Sequence, residues 1–151
     1  MMIAWTYLDK QTATIAALRD YNSMKFICDN TSDEKKEIRE RMTALRSSNL
    51  NGMPSARDPK AGEGKLAEQL DTIDVLEKRY DCAEEYMAWF KAAWDALSDT
   101  EQLILREFYM GESQKSGATY RLMDRLGYSE RQIERLKNKA ITQLAVLLYG
   151  K

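Results

Sequence analysis

The sequence predicts an all-α protein: an N-terminal helical hairpin or coiled coil with a long helix leading into a C-terminal domain that holds two helices joined by a tight turn. Two prolines and seven glycines are few for 151 residues, and both prolines with three of the glycines fall within residues 47–64. A composition of 44% apolar and 31% charged residues suits helices that bury one face and solvate the other. Outside residues 47–64, apolar side chains return in steps of three and four, the helical period. The length fits one or two small domains, and the apolar content is enough to bury a core.

The first helix is expected over roughly residues 3–28, where Trp5, Leu8, Ile15, Leu18, Tyr21 and Met24 form one face. Thr31 precedes Glu34 by three positions, the reciprocal arrangement that closes two free amides at a helix start. A short second helix is therefore expected from Thr31, with Ile38, Met42 and Leu45 on one side. Residues 47–64, SSNLNGMPSARDPKAGEG, follow neither helical nor strand periodicity and read as a loop. Gly64-Lys65 resembles the end of a phosphate loop, but Pro59 stands where the first glycine belongs and Leu66 replaces the magnesium-binding hydroxyl. Nucleotide binding is not expected.

From Lys65 to about Ala96 the positions Leu66, Leu70, Ile73, Leu76, Tyr80, Ala83, Met87, Phe90 and Trp94 advance almost as a heptad. Such a stripe needs a cover, and the residues leave open whether the first helix folds back on it or a second copy forms a homodimer through the N-terminal helices. A boundary is placed between a helical region, 1–96, and a C-terminal domain, 97–151.

Ser98 and Glu101 repeat the reciprocal cap, opening a helix with Leu103, Ile104, Leu105, Phe108 and Tyr109 inward and a stop at Gly111. A polar hinge, GESQKSG, precedes a short helix over 118–126 with Tyr120, Leu122, Met123 and Leu126 inward. Gly127 suits a left-handed helix end, and Ser129 with Gln132 caps the next helix. This is a helix-turn-helix with a turn of about three residues.

In its second helix, about 130–148, Ile133, Leu136, Ala140, Leu144 and Leu147 lie in one arc, opposite Arg131, Arg135, Asn138 and Thr142. The first arc anchors the helix. The second carries groups able to donate to guanine or pair with adenine in a major groove. Glu130 and Glu134 flank it as acceptors for cytosine N4, while Gln132, Lys137 and Lys139 suit phosphates or a protein partner. The candidate DNA-binding residues are thus Ser129, Glu130, Arg131, Gln132, Glu134, Arg135, Lys137, Asn138 and Lys139.

A net charge of −1 argues against indiscriminate nucleic-acid binding, yet charge is unevenly distributed. Residues 1–96 hold fourteen Lys/Arg against seventeen Asp/Glu, whereas residues 118–151 hold seven against three. So modest a surplus favours dimerisation or a partner that holds the protein on DNA. The chain has no histidine, and Cys28 and Cys82 are too far apart for zinc spacing, so neither metal nor cofactor is expected. Lacking histidine, and with its carboxylates set mainly beside lysines and arginines, the chain is not expected to be an enzyme. No membrane segment or signal peptide is apparent, and a cytoplasmic protein with reduced, packed thiols is expected.

The stretch LSDTEQLILREFYM, followed by ATYRLMDRLGYSERQIERLKNKAITQL, resembles region 4 of the sigma-70 family, the promoter-recognition domain of bacterial sigma factors. Leu122, Leu126, Gly127, Ser129, Ile133, Leu136, Ala140, Ile141 and Leu144 match that family's pattern, and Met123 departs from its usual alanine. The resemblance implies that the second helix enters the major groove of a −35 promoter element, which Glu130, Arg131, Glu134 and Arg135 would read. It also implies that the 98–110 segment meets the β-flap of RNA polymerase and that residues near Lys139 meet upstream activators. Residues 1–96 have no counterpart of the sigma segments that melt promoters. The whole chain is more loosely similar to small region-4-like regulators of Gram-positive phages and mobile elements, including the ArpU/RinA type. A sequence-specific transcription regulator that partners double-stranded DNA is the expectation. The alternative left open is a helical adaptor or coiled-coil dimer acting through protein contacts alone.

Overall fold

The computed structural model describes residues 9–49, 59–111 and 117–150, and over these it is all-α, with no strand. Five α-helices follow one another: α1 (Lys10–Asn49), α2 (Pro59–Asp95), α3 (Asp99–Leu105), α4 (Ala118–Leu126) and α5 (Glu130–Tyr149). A π-helical turn, Arg106–Met110, continues α3. No described helix is long and apolar enough to cross a membrane. Trp5 and Leu8, residues 50–58 of the expected loop and residues 112–116 of the expected hinge lie outside the described residues, as do the side chains of Met42 and Leu45.

The Asp9 carboxylate starts α1 by accepting from the backbone amides of Gln11 and Thr12 at 3.2 and 3.3 Å and from the Thr12 hydroxyl at 2.7 Å. These bonds, the hydroxyl bond foremost, hold its carboxyl below the usual carboxylate range. The expected break at Thr31 does not occur, and α1 runs unbroken through it. Thr31 is buried, and its hydroxyl donates to the Ile27 carbonyl at 2.5 Å, while the Asn30 amide donates to the Phe26 carbonyl at 2.8 Å. Both polar side chains bond back to the preceding turn, so neither is available to cap a new helix. The 47–64 loop is also shorter than expected, since α1 continues to Asn49 and α2 begins at Pro59. Proline is well suited to a helix start, where its missing N–H removes no bond.

α1 and α2 pack together as a helical hairpin, so the apolar stripe of α2 is covered within the chain. The chain forms two compact units, Met24–Glu85 and Met1–Ser23 with Tyr86–Lys151. Within the Met24–Glu85 unit, Thr31, Ile73 and Ala83 are buried. Lys35 and Arg39 of α1 approach Glu77 of α2 at 3.5 and 3.9 Å, and the Lys35 ammonium lies 5.4 Å from the Tyr80 ring centre. Leu70 is exposed despite its place in the expected stripe. Cys28 is partly buried and Cys82 exposed, so only the first behaves as a packed thiol.

The other unit is built around aromatic rings. Phe90, fully buried, stacks between Tyr86 and Trp94 at centroid distances of 5.5 and 5.6 Å, with Tyr21 of α1 tilted against it at 5.5 Å. The Tyr86 hydroxyl donates to the Ala17 carbonyl, and burial pushes its pKa well above the usual phenol value. α2 ends where the Ser98–Glu101 cap begins the next helix, with the Ser98 amide donating to the Glu101 carboxylate at 3.0 Å. The Gln102 side chain then donates at 2.8 Å to the Trp94 carbonyl, which also accepts from the Leu97 amide at 3.1 Å. Asn22 does the same for Met110 at 2.7 Å, joining α1 to the π-helical turn.

Replacing Phe90 with alanine should cost about 3–5 kcal/mol, the range for deleting a large buried ring. Val146→Ala, on an exposed face of α5, should stay within about 0.5 kcal/mol. Urea titration followed by tryptophan emission checks both, because Trp89 and Trp94 report on this unit.

Candidate nucleic-acid interface

The turn between α4 and α5 is made by Gly127, Tyr128 and Ser129. Gly127 adopts φ 69° and ψ 21°, and its amide donates to the Met123 carbonyl at 2.9 Å, closing α4. A Cβ at Gly127 would meet nothing within 4 Å, so glycine is favoured there by its backbone conformation and not by crowding. Ser129 starts α5 with the expected reciprocal cap. Its Oγ accepts from the Gln132 amide at 3.3 Å, and its own amide donates to Gln132 Oε1 at 2.9 Å. Ser129 and Gln132 therefore act first on the helix start, with both oxygens engaged in the cap.

Two apolar clusters hold α5. Ile133 packs with Ile104 of α3 and Leu122 of α4, all three fully buried, and Leu103, Phe108, Met123, Leu126 and Leu136 close around them. Met123, the departure from the region-4 pattern, is thus part of the α4–α5 contact. Further along, Ala140, Ile141, Leu144 and Leu148 join the aromatic core with Leu18, Phe90, Trp94 and Leu105. Trp89 donates its indole N–H to the Leu148 carbonyl at 3.2 Å and meets the Tyr149 ring edge-on at 5.6 Å.

Two expected inward residues face solvent: Tyr120 is 76% exposed and Leu147 is 43% exposed. On α4 the buried row is Ala118–Leu122, and Tyr120 lies about 200° from either at 100° per residue. On α5 Leu147 lies only about 20° from Ala140 at 100° per residue, yet at that level of the helix Leu148 and not Leu147 packs into the core.

Opposite the buried rows, Arg131, Arg135 and Asn138 are exposed on α5, and with Glu130 and Glu134 they line one open depression. Neither guanidinium has an ion-pair partner among the described residues, and nor does Lys139. Lys137 is different. Its ammonium bonds Glu134 at 2.7 Å and sits 4.8 Å from the Phe108 ring centre, and its side chain is 16% exposed. Lys137, expected to suit a phosphate or a protein partner, here joins α5 to the π-helical turn and pairs with the carboxylate expected to accept from cytosine. Glu107 of the same turn reaches Arg121 at 3.1 Å and Arg125 at 3.9 Å, so these two exposed cations share one carboxylate.

Sequence periodicity does not reveal this brace of Glu107 and Phe108. Both belong to a π-helical turn, whose wider spacing lies outside a 3.6-residue period.

Comparison with protein families, curated proteins and solved structures gives no match. The fold and this surface define an all-α protein with a helix-turn-helix that displays two guanidiniums unpaired among the described residues.

Gly127→Ala should destabilise this unit by about 1–2 kcal/mol, the cost of a left-handed backbone for an ordinary L-residue. Gly127→Asn should cost less, since asparagine tolerates that region better. Thermal unfolding of the two variants side by side checks the order.

Proposed function

We propose that the chain is a sequence-specific DNA-binding transcription regulator that inserts α5 into the major groove, as region 4 of sigma factors does. The observation that carries this reading is the two-sidedness of α5. Its aliphatic rows are buried in two clusters, while Arg131 and Arg135 stand exposed and unpaired within the described residues. Guanidinium groups offer paired donors in a fixed plane, which matches the acceptor edge of guanine and the oxygens of phosphate. A helix about 10–12 Å across with its side chains fits a major groove about 12 Å wide.

Arg131, Arg135 and Lys139 are the unpaired cations of the exposed face of α5 among the described residues, so one protomer would make few strong contacts with DNA. Tight binding then needs a second anchor, either a homodimer or a partner such as RNA polymerase meeting the 98–110 segment. Leu103 and Phe108 are only partly buried there, which leaves apolar surface for a protein contact. The adaptor reading draws on exposed Phe26, Leu70 and Val75 in the Met24–Glu85 unit. It differs in one measurable respect, because protein contacts alone produce no salt-dependent affinity for a duplex.

Fluorescence anisotropy with a labelled duplex at several salt concentrations tests the proposal. The logarithm of affinity should fall with the logarithm of salt at about −0.9 for each phosphate neutralised. Arg131→Ala and Arg135→Ala should each weaken binding to a preferred sequence by about 1–3 kcal/mol for every base that the arginine reads. Lys137→Ala should leave the salt slope unchanged, whereas removing a phosphate-bound lysine reduces it by about one. Duplex affinity independent of salt would instead favour the adaptor.

A further inference from the structure

The internal pairing on α5 narrows which side chains are left to choose a base. Glu134 is occupied by Lys137. Thr142 donates its hydroxyl to the Asn138 backbone carbonyl at 3.0 Å. Ser129 and the Gln132 carbonyl oxygen are engaged in the helix cap. Arg131, Arg135 and the Asn138 side-chain amide remain, all exposed and without a partner among the described residues; Glu130 and Lys139 are also unpaired there but lie about 80° and about 40° outside the arc those three share. At 100° per residue they fall within an arc of about 60°, so one groove floor can meet all three.

Chemistry assigns a base to each. A guanidinium donates in pairs and cannot accept, so it matches guanine O6 and N7; adenine and cytosine each place an amino donor in the same groove. A side-chain amide both donates and accepts, which matches adenine N7 and N6. Spacing then fixes their order. Arg131 and Arg135 are about 6 Å apart along the helix axis, and Asn138 is about 4.5 Å further on, at 1.5 Å per residue. Against a rise of about 3.4 Å per base pair, these intervals are close to two steps and between one and two steps.

Resting on the DNA-binding reading above, we infer that α5 lies along the groove and selects duplexes with two guanines separated by a single base pair. An adenine stands one or two pairs beyond the guanine read by Arg135. The recognised element is thus about four to five base pairs long, given that rise.

Selection from a pool of random duplexes with the full chain tests this. The enriched motif should contain the spaced guanines and the adenine. Arg131→Ala should abolish the preference at the outer guanine only, Arg135→Ala at the inner guanine only and Asn138→Ala at the adenine only. Each loss should be about 5- to 150-fold in discrimination at its own position, the equivalent of the usual range for a paired base contact. Arg135→Lys separates base reading from simple attraction. It keeps the charge and the salt slope but should lose the inner guanine, because an ammonium lacks the planar pair of donors. A motif without the spaced guanines, or arginine variants that weaken every duplex equally, would overturn the inference and leave the DNA-binding reading in place. Absence of salt-dependent binding to any duplex would overturn both.

Discussion

The rotation of α5 about its own axis governs what this surface presents. Ile133 holds the first turns against Ile104 and Leu122, and the row from Ala140 to Leu148 holds the remainder in the aromatic core. Two anchors on one side, more than one turn apart, leave the helix a single rotational setting. Turning it by one residue, about 100°, would move aliphatic groups into water and draw charged or amide groups inward. Each fully buried aliphatic side chain contributes about 1.5–3 kcal/mol, and an unpaired buried charge costs far more. Arg131 and Arg135 therefore face outward because the opposite side has to be buried.

The anchors are themselves held by helices distant in sequence. Phe90 and Trp94 of α2, with Leu18 of α1, form the surface on which Ala140 and Leu144 rest. The polar contacts in the same unit work at carbonyls: Gln102 serves Trp94, Asn22 serves Met110, and Trp89 serves Leu148. Each donates to a carbonyl near a helix end, where the helix itself supplies too few donors. Packing accordingly groups the helix-turn-helix with residues 1–23 and 86–96 in one compact unit. The expected division after residue 96 falls where α2 ends, at Asp95.

Legibility in the sequence follows the range of the interaction. Both reciprocal caps, Ser98–Glu101 and Ser129–Gln132, and the left-handed Gly127 appear as expected, because each involves residues at most four apart. The outward arc of α5 is equally legible, since helical period alone separates Arg131 and Arg135 from Ile133 and Ala140. Thr31 misleads because a capping pattern also fits a helix interior when each hydroxyl or amide can bond to the preceding turn. Tyr120 misleads because its hydrophobic character conflicts with its angular position, and angular position prevails, whereas Leu147 shares the arc of Ala140 and is exposed all the same. The pairing of Lys137 with Phe108, and of Glu107 with Arg121, depends on a π-helical turn meeting two other helices, and no short sequence window contains that geometry.

Arginine footprinting with a dicarbonyl reagent and mass spectrometry, with and without a bound duplex, tests most directly which side of α5 is offered. Arg131 and Arg135 should react readily in the free protein and become protected when DNA is added, while Arg39 and Arg41, exposed on α1, change little. Slow labelling of Arg131 and Arg135 in the free protein, or unchanged labelling beside a bound duplex, would contradict the account.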